Sequence, residues 1–157
     1  MKIILLLMDC DGVLTDGRLY FSARGEEMKV FDVRDGQGLV SWHRAGFKSG
    51  IISGRGAGAI IQRRADELGI AFVRVESSDK IRDFEEIISS LEIAAENVAY
   101  VGDDIGDIEL LKRVGFAVAV ADAVAEVKAV AHFVTQRNGG RGAVREVIDM
   151  LLAGERK

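Results

Sequence analysis

A chain of 157 residues, 48% apolar and 29% charged, is long enough for one domain with a real core and short for two. Its net charge of −4, with both signs mixed along the chain, argues against nucleic acid or an anionic membrane as partner. A single cysteine, Cys10, excludes an internal disulfide and fits a reducing, cytoplasmic setting.

The first apolar run, Ile3–Met8, is too short to span a bilayer, and the single Lys2 and abrupt Asp9 do not suit a signal peptide. It ends in Asp9-Cys10-Asp11-Gly12. Gly17–Val33 follows, two aromatic and β-branched stretches around Ala23-Arg24-Gly25-Glu26, which predicts a β-hairpin. Helical spacing covers Gly36–Ala45. Next come the apolar run Lys48–Ile52, the cluster Ser53-Gly54-Arg55 and a helical segment Ala57–Leu68. A third run, Ala71–Val75, leads to a helix predicted over Lys80–Leu91. The fourth run, Asn97–Val101, opens into Gly102-Asp103-Asp104-Ile105-Gly106-Asp107 and a helix over Asp107–Val114. Phe116–Val120, a helix over Ala123–Ala129, a weaker run near His132–Thr135 and a helix over Ala143–Leu152 complete the pattern.

This alternation predicts an α/β fold: one doubly wound, mostly parallel, Rossmann-like sheet over residues 1–157 with an inserted hairpin. The first and fourth runs are apolar on both faces, as strands covered on both sides by helices must be. Ligand sites in such sheets lie at the carboxyl ends of the strands. Asp9 and Asp11, Ser53 to Arg55, and Asp103 to Asp107 all follow such ends, while Lys80 opens the helix after the third run.

If Asp9, Asp11, Asp103, Asp104 and Asp107 converge, each close pair repels by about 4 kcal/mol at an effective dielectric near 20. A divalent cation turns that repulsion into coordination, and oxygen-only donors favour Mg²⁺. Asp9 and Asp103 are the first-choice ligands, with Asp104 or Asp107 reaching the ion directly or through water. A carboxylate held there can attack phosphorus, and its neighbour two residues on can serve as acid and then base. Lys80, Ser53 and backbone N–H groups near Gly12 and Gly54 can neutralise or hold phosphoryl oxygens.

Asp9-Cys10-Asp11-Gly12-Val13-Leu14-Thr15, Ser53-Gly54-Arg55, Lys80 and Gly102–Asp107 together resemble the four ordered motifs of the haloacid dehalogenase superfamily. The resemblance implies that Asp9 is the nucleophile and Asp11 the general acid/base. It implies phosphate binding by Ser53 and Lys80, and Mg²⁺ held by Asp9, Asp103 and the backbone carbonyl of Asp11. An aspartate at the second position implies the phosphatase branch. Val33–Gly38, Val118–Ala123 and Gly139–Glu146 narrow the likeness to the capless 3-deoxy-D-manno-octulosonate 8-phosphate phosphatases of lipopolysaccharide inner-sugar synthesis. This likeness covers nearly the whole chain. In the related nonulosonate 9-phosphate phosphatases the third residue of Ser-Gly-Arg tends to be glutamate, so Arg55 tilts the expectation to the octulosonate. By the same likeness the Gly139–Arg145 tail reaches an active site, with Arg141 as an anion contact.

Plainer readings stand beside these. Asp9–Gly12 as a calcium loop fails because its glycine comes too early and no Glu closes twelve positions. Gly102–Asp107 alone reads as a capped turn, Ser53-Gly54-Arg55 as a helix entry, and Lys80 as one exposed lysine among several. Cys10 reads as a small buried filler, Trp42 as core, and His43 and His132 as structural. A receiver-type phosphoacceptor would need an adjacent early acidic pair and an aspartate ending the Phe72–Val75 strand, and neither is present. A non-catalytic assembly module, like the tails of some sialic-acid-activating enzymes, would not need the complete acidic set with Lys80. Only about forty residues separate Asp11 from Ser53, which leaves no room for a cap domain. An exposed apolar hairpin and an uncapped site together predict a homotetramer with active sites at subunit interfaces, as in the resembled family.

Overall fold

The computed structural model describes residues 2–155. The strands are β1 (Leu5–Met8), β2 (Tyr20–Ser22), β3 (Gly25–Met28), β4 (Lys48–Ile52), β5 (Phe72–Arg74), β6 (Val98–Gly102), β7 (Phe116–Ala119) and β8 (Phe133–Val134). The helices are α1 (Val33–Arg44), α2 (Gly58–Leu68), α3 (Lys80–Leu91), α4 (Ile108–Leu111), α5 (Ala125–Val130) and α6 (Ala143–Glu155). Six strands form one sheet in the order β5-β4-β1-β6-β7-β8, every pair parallel. β2 and β3 pair antiparallel as a separate two-stranded hairpin.

The expected doubly wound sheet is therefore present, and its architecture follows from the apolar runs. Leu5, Leu6, Leu7 and Met8 are all fully buried, each side chain contributing roughly 1.5–3 kcal/mol of transfer free energy. A strand apolar on both faces must be covered on both. α1 packs on α2 and α6, while α3 packs on α4, and α4 on α5. β1 is flanked by β4 and β6, in the register Leu7↔Gly50 and Leu7↔Tyr100. The strand order reverses beside β1, so its carboxyl end opens into the crevice where such sheets bind ligands.

The boundaries differ from expectation where side chains cap helices. α1 begins at Val33, not Gly36, because the Asp32 carboxylate accepts the Arg34 N–H and so starts the helix. Val33 thus belongs to the helix, and the hairpin strands end at Met28. The helix expected over Asp107–Val114 is shorter: a 3₁₀ turn over Ile105–Asp107 precedes only four residues of α4. The Asp104 and Asp107 side chains bond each other's turn backbone there, forming a reciprocal cap that favours the tight turn. Trp42 is core, its indole N–H donating to the Lys48 carbonyl. His43 bridges the Leu68 carbonyl and Ser49, and His132 Nδ1 accepts the Ala117 N–H, both structural as expected.

Candidate active site

The loop leaving β1 winds tightly because the N–H groups of Val13, Leu14 and Thr15 all donate to the Cys10 carbonyl. Gly12 sits at φ 86°, and a Cβ there would lie 1.9 Å from Asp103 Oδ2. Only glycine allows that approach. The same loop is braced from the far end of the chain. Gly140 N–H donates to the Val13 carbonyl at 2.8 Å, and a Cβ on Gly139 would lie 1.7 Å from the Gly12 carbonyl oxygen. Cys10 is fully buried, and burial, followed by the Asp11 charge, pushes its thiol up to about 12, as an inert filler requires.

A cleft of about 360 Å³ opens at the strand ends, and Asp9, Asp11, Ser53, Lys80, Asp103 and Asp107 are among its lining residues. Gly54, Arg55 and Asp104 also line it. A larger groove of about 540 Å³ on α6, which includes Arg137 and Arg145, shares none of these residues. Lys80 Nζ donates to Asp9 Oδ2 at 3.0 Å and to Asp107 Oδ1 at 2.8 Å. Asp9 Oδ1 accepts the Cys10 N–H at 2.7 Å. Ser53 is buried at the end of β4, and Arg55 Nε lies 3.9 Å from Asp11 Oδ2.

Asp107 is saturated by the protein itself. Its Oδ1 accepts from Lys80 and from the Tyr100 hydroxyl at 2.6 Å, and its Oδ2 accepts the N–H groups of Asp103 and Asp104. It is a scaffold that aims the Asp103 backbone and Lys80. Asp104 is exposed and caps the following turn.

Of the backbone N–H groups near Gly12 and Gly54 expected to face phosphate, that of Gly12 itself is taken, donating to Thr15 Oγ1 at 3.2 Å. Thr15 Oγ1 also accepts from Gly17, so this hydroxyl organises the loop. Arg141 does not line the cleft of its own chain. It is exposed, with its guanidinium 4.0 Å from Asp16.

The donor set fits a hard cation. Carboxylate oxygens of Asp9, Asp103 and Asp107 lie within 4.8 Å of one another, and with Asp107 already bonded by the protein, Asp9 and Asp103 are the two left to face an ion. Asp103 Oδ1 is buried without a hydrogen-bond partner, a costly state that coordination would relieve. Burial first, then the charges of Asp9, Asp107 and Asp104, push Asp103 up to about 8. Burial and the Asp107 charge push Asp9 up to about 6 against the opposing pull of Lys80. All donors are oxygens, which favours Mg²⁺ over softer metals.

Two contacts escape a reading of the sequence. Tyr100 lies within an apolar strand and looks like core, yet its hydroxyl bonds Asp107. Lys29 reads as an ordinary hairpin lysine, yet its ammonium reaches Asp11 at 2.6 Å. Neither carries a local signal, because both depend on which distant segments the fold brings together.

The profile of the haloacid dehalogenase-like hydrolases matches residues 44–148. The chain is 43% identical over 156 residues to the 3-deoxy-D-manno-octulosonate 8-phosphate phosphatase KdsC of Yersinia pestis, covering 99% of this chain and 83% of the relative. It is 45% identical to KdsC of Escherichia coli (strain K12), covering 99% of this chain and 82% of that one. The crystal structure of the Yersinia pestis phosphatase superposes with a TM-score of 0.95 at 43% identity, covering 99% of this chain and 83% of that one. The phosphatase of Moraxella catarrhalis, solved with magnesium ion, phosphate ion and KDO, superposes with a TM-score of 0.92 at 37% identity, covering 96% of this chain and 86% of that one.

Proposed function

This chain belongs to the haloacid dehalogenase-like hydrolases, in the family of the 3-deoxy-D-manno-octulosonate 8-phosphate phosphatases, and from that premise we propose how its cleft works. It is a Mg²⁺-dependent phosphoric monoester hydrolase that removes the phosphate of 3-deoxy-D-manno-octulosonate 8-phosphate in lipopolysaccharide inner-sugar synthesis. The observation that carries the chemistry is the convergence of Asp9, Asp103 and Asp107 at the carboxyl edge of the sheet, with Lys80 bonded to Asp9 and Asp107.

Asp9 is the nucleophile. Its carboxylate attacks phosphorus, the bond from phosphorus to the sugar oxygen breaks, and an aspartyl-phosphate forms. Asp11 gives its proton to the departing alkoxide, then takes one from the water that hydrolyses the acyl phosphate. Lys80 holds Asp9 in place through the 3.0 Å bond and neutralises a phosphoryl oxygen. Ser53 holds another, and Gly54 and Arg55 border the substrate. Asp9, Asp103 and the Asp11 carbonyl would hold Mg²⁺, with Asp104 beside them. The ion supplies charge neutralisation for the phosphoryl group when bound.

The described residues form one catalytic domain, and no cap stands among them. No helix among the described residues is long and apolar enough to cross a membrane, in keeping with a cytoplasmic enzyme. Leu19, Tyr20, Phe21, Met28 and Val30 are exposed on the hairpin, which supports a homotetramer in which a hairpin walls a neighbour's cleft and Arg141 reaches a partner's substrate.

The test is phosphate release from a panel of 2-keto-3-deoxy sugar phosphates, with and without Mg²⁺. The octulosonate 8-phosphate should exceed the nonulosonate 9-phosphate in kcat/KM by at least about tenfold, the scale of one net hydrogen bond. Asp9→Asn should release no phosphate while its circular dichroism is unchanged. Equal use of both sugars overturns the substrate assignment, and turnover by Asp9→Asn overturns the covalent route.

A further inference from the structure

Lys29 follows β3, and its side chain is only 1% exposed. Its ammonium donates to Asp11 Oδ1 at 2.6 Å and pairs with Glu26 Oε1 at 2.7 Å. The other Asp11 oxygen, Oδ2, is buried and has no hydrogen-bond partner, Arg55 Nε standing 3.9 Å away. Lysines are rarely this buried without a task. Exposed hairpins do not need one, because two-stranded ribbons gain little from a buried ion pair that must first be desolvated.

We propose that Lys29 is a positioning residue that occupies Oδ1 of Asp11, so that Oδ2 alone carries and delivers the proton to the leaving sugar oxygen. This rests on the general acid/base role given to Asp11 above. Glu26 takes up the remaining charge of the ammonium, so the carboxyl group is steered by one hydrogen bond within a balanced trio. The hairpin thereby belongs to the active site although none of its paired strand residues lines the cleft. Without Lys29 the Asp11 carboxyl group can rotate, and either oxygen can face Arg55 or solvent.

A positioned acid matters only where the leaving group needs a proton. The full chain in saturating Mg²⁺ is assayed for kcat/KM, which reports steps up to leaving-group departure, on two substrates. One is the alkyl ester 3-deoxy-D-manno-octulosonate 8-phosphate, and the other is p-nitrophenyl phosphate, whose leaving group departs unprotonated. Lys29→Met should lose about a hundredfold on the alkyl ester, within the range of acid catalysis, and less than about threefold on the aryl ester. Lys29→Arg should recover part of the alkyl activity. A double variant, Glu26→Gln with Lys29→Met, keeps the charge balance and carries the same readout if the single variant is poorly folded. Equal losses on both esters, or none on either, would overturn the positioning role. Asp11→Asn is the control: if it too spares the alkyl ester, the acid/base reading fails first, and the two failures are told apart.

Discussion

Lys80 is a largely covered cation between two carboxylates, with a side chain 13% exposed. Replacing it by methionine keeps the volume but leaves Asp9 and Asp107 facing each other uncompensated. Breaking a buried pair in this way costs about 3–5 kcal/mol, which for a chain of this size lowers Tm by roughly 10 °C. Lys80→Met should therefore melt early in metal-free buffer by differential scanning calorimetry. Its turnover should fall by about 10²–10³-fold, the scale of one lost donor to developing charge. Added Mg²⁺ should still raise its Tm, because Asp9 and Asp103, the proposed ligands, remain. If Mg²⁺ no longer shifts Tm, Lys80 is needed to assemble the ion site. A normal rate would mean that it is not a phosphate contact.

Asp35 joins two elements. It lies in the first turn of α1, is buried, and accepts the Arg145 N–H in the first turn of α6 at 2.9 Å. One residue thus serves the amino ends of two packed helices. Its Oδ2 has no hydrogen-bond partner, and burial raises it from 3.8 to about 6 despite the Arg145 bond. A carboxyl group with a raised folded-state value binds its proton more tightly in the native state. Its stabilisation is complete below about 4 and is lost as pH rises through about 6, amounting to about 3 kcal/mol. Against the unsubstituted protein in the same buffer, Asp35→Asn should flatten the slope of stability between pH 4 and 6. Urea melts across that range would show it, and parallel slopes in the two proteins would refute it.

Much of this element-level organisation is legible in sequence. Apolar runs such as Leu5–Met8 report burial on both faces, and the polar clusters following them report the ligand edge. The missed details have other causes. The early start of α1 comes from the Asp32 cap, and the brevity of α4 from the Asp104–Asp107 turn. Tyr100 and Lys29 gain their roles only from partners far along the chain.

At the scale of the whole molecule, the hairpin presents Phe21 at 69% and Met28 at 54% exposure, an apolar surface that a lone protein should not keep. In a tetramer these side chains would be covered. Phe21→Glu would place charges in that contact, and light scattering should then report smaller species with reduced kcat/KM on the sugar phosphate. A variant that stays tetrameric would remove the hairpin from the interface, and a fully active monomer would remove the need for one. The bracing of Gly12 and Val13 by Gly139 and Gly140 has a further consequence, in the order of manufacture. The loop after β1 is made well before Gly139 and Gly140, the glycines that brace it. β1 must also wait for β6, whose partner residues lie roughly ninety positions on, a separation that slows pairing. A chain halted before residue 139 therefore carries every acidic motif yet lacks the clamp over the first of them. The clamp on the loop after β1 can form only in chains translated past residue 140.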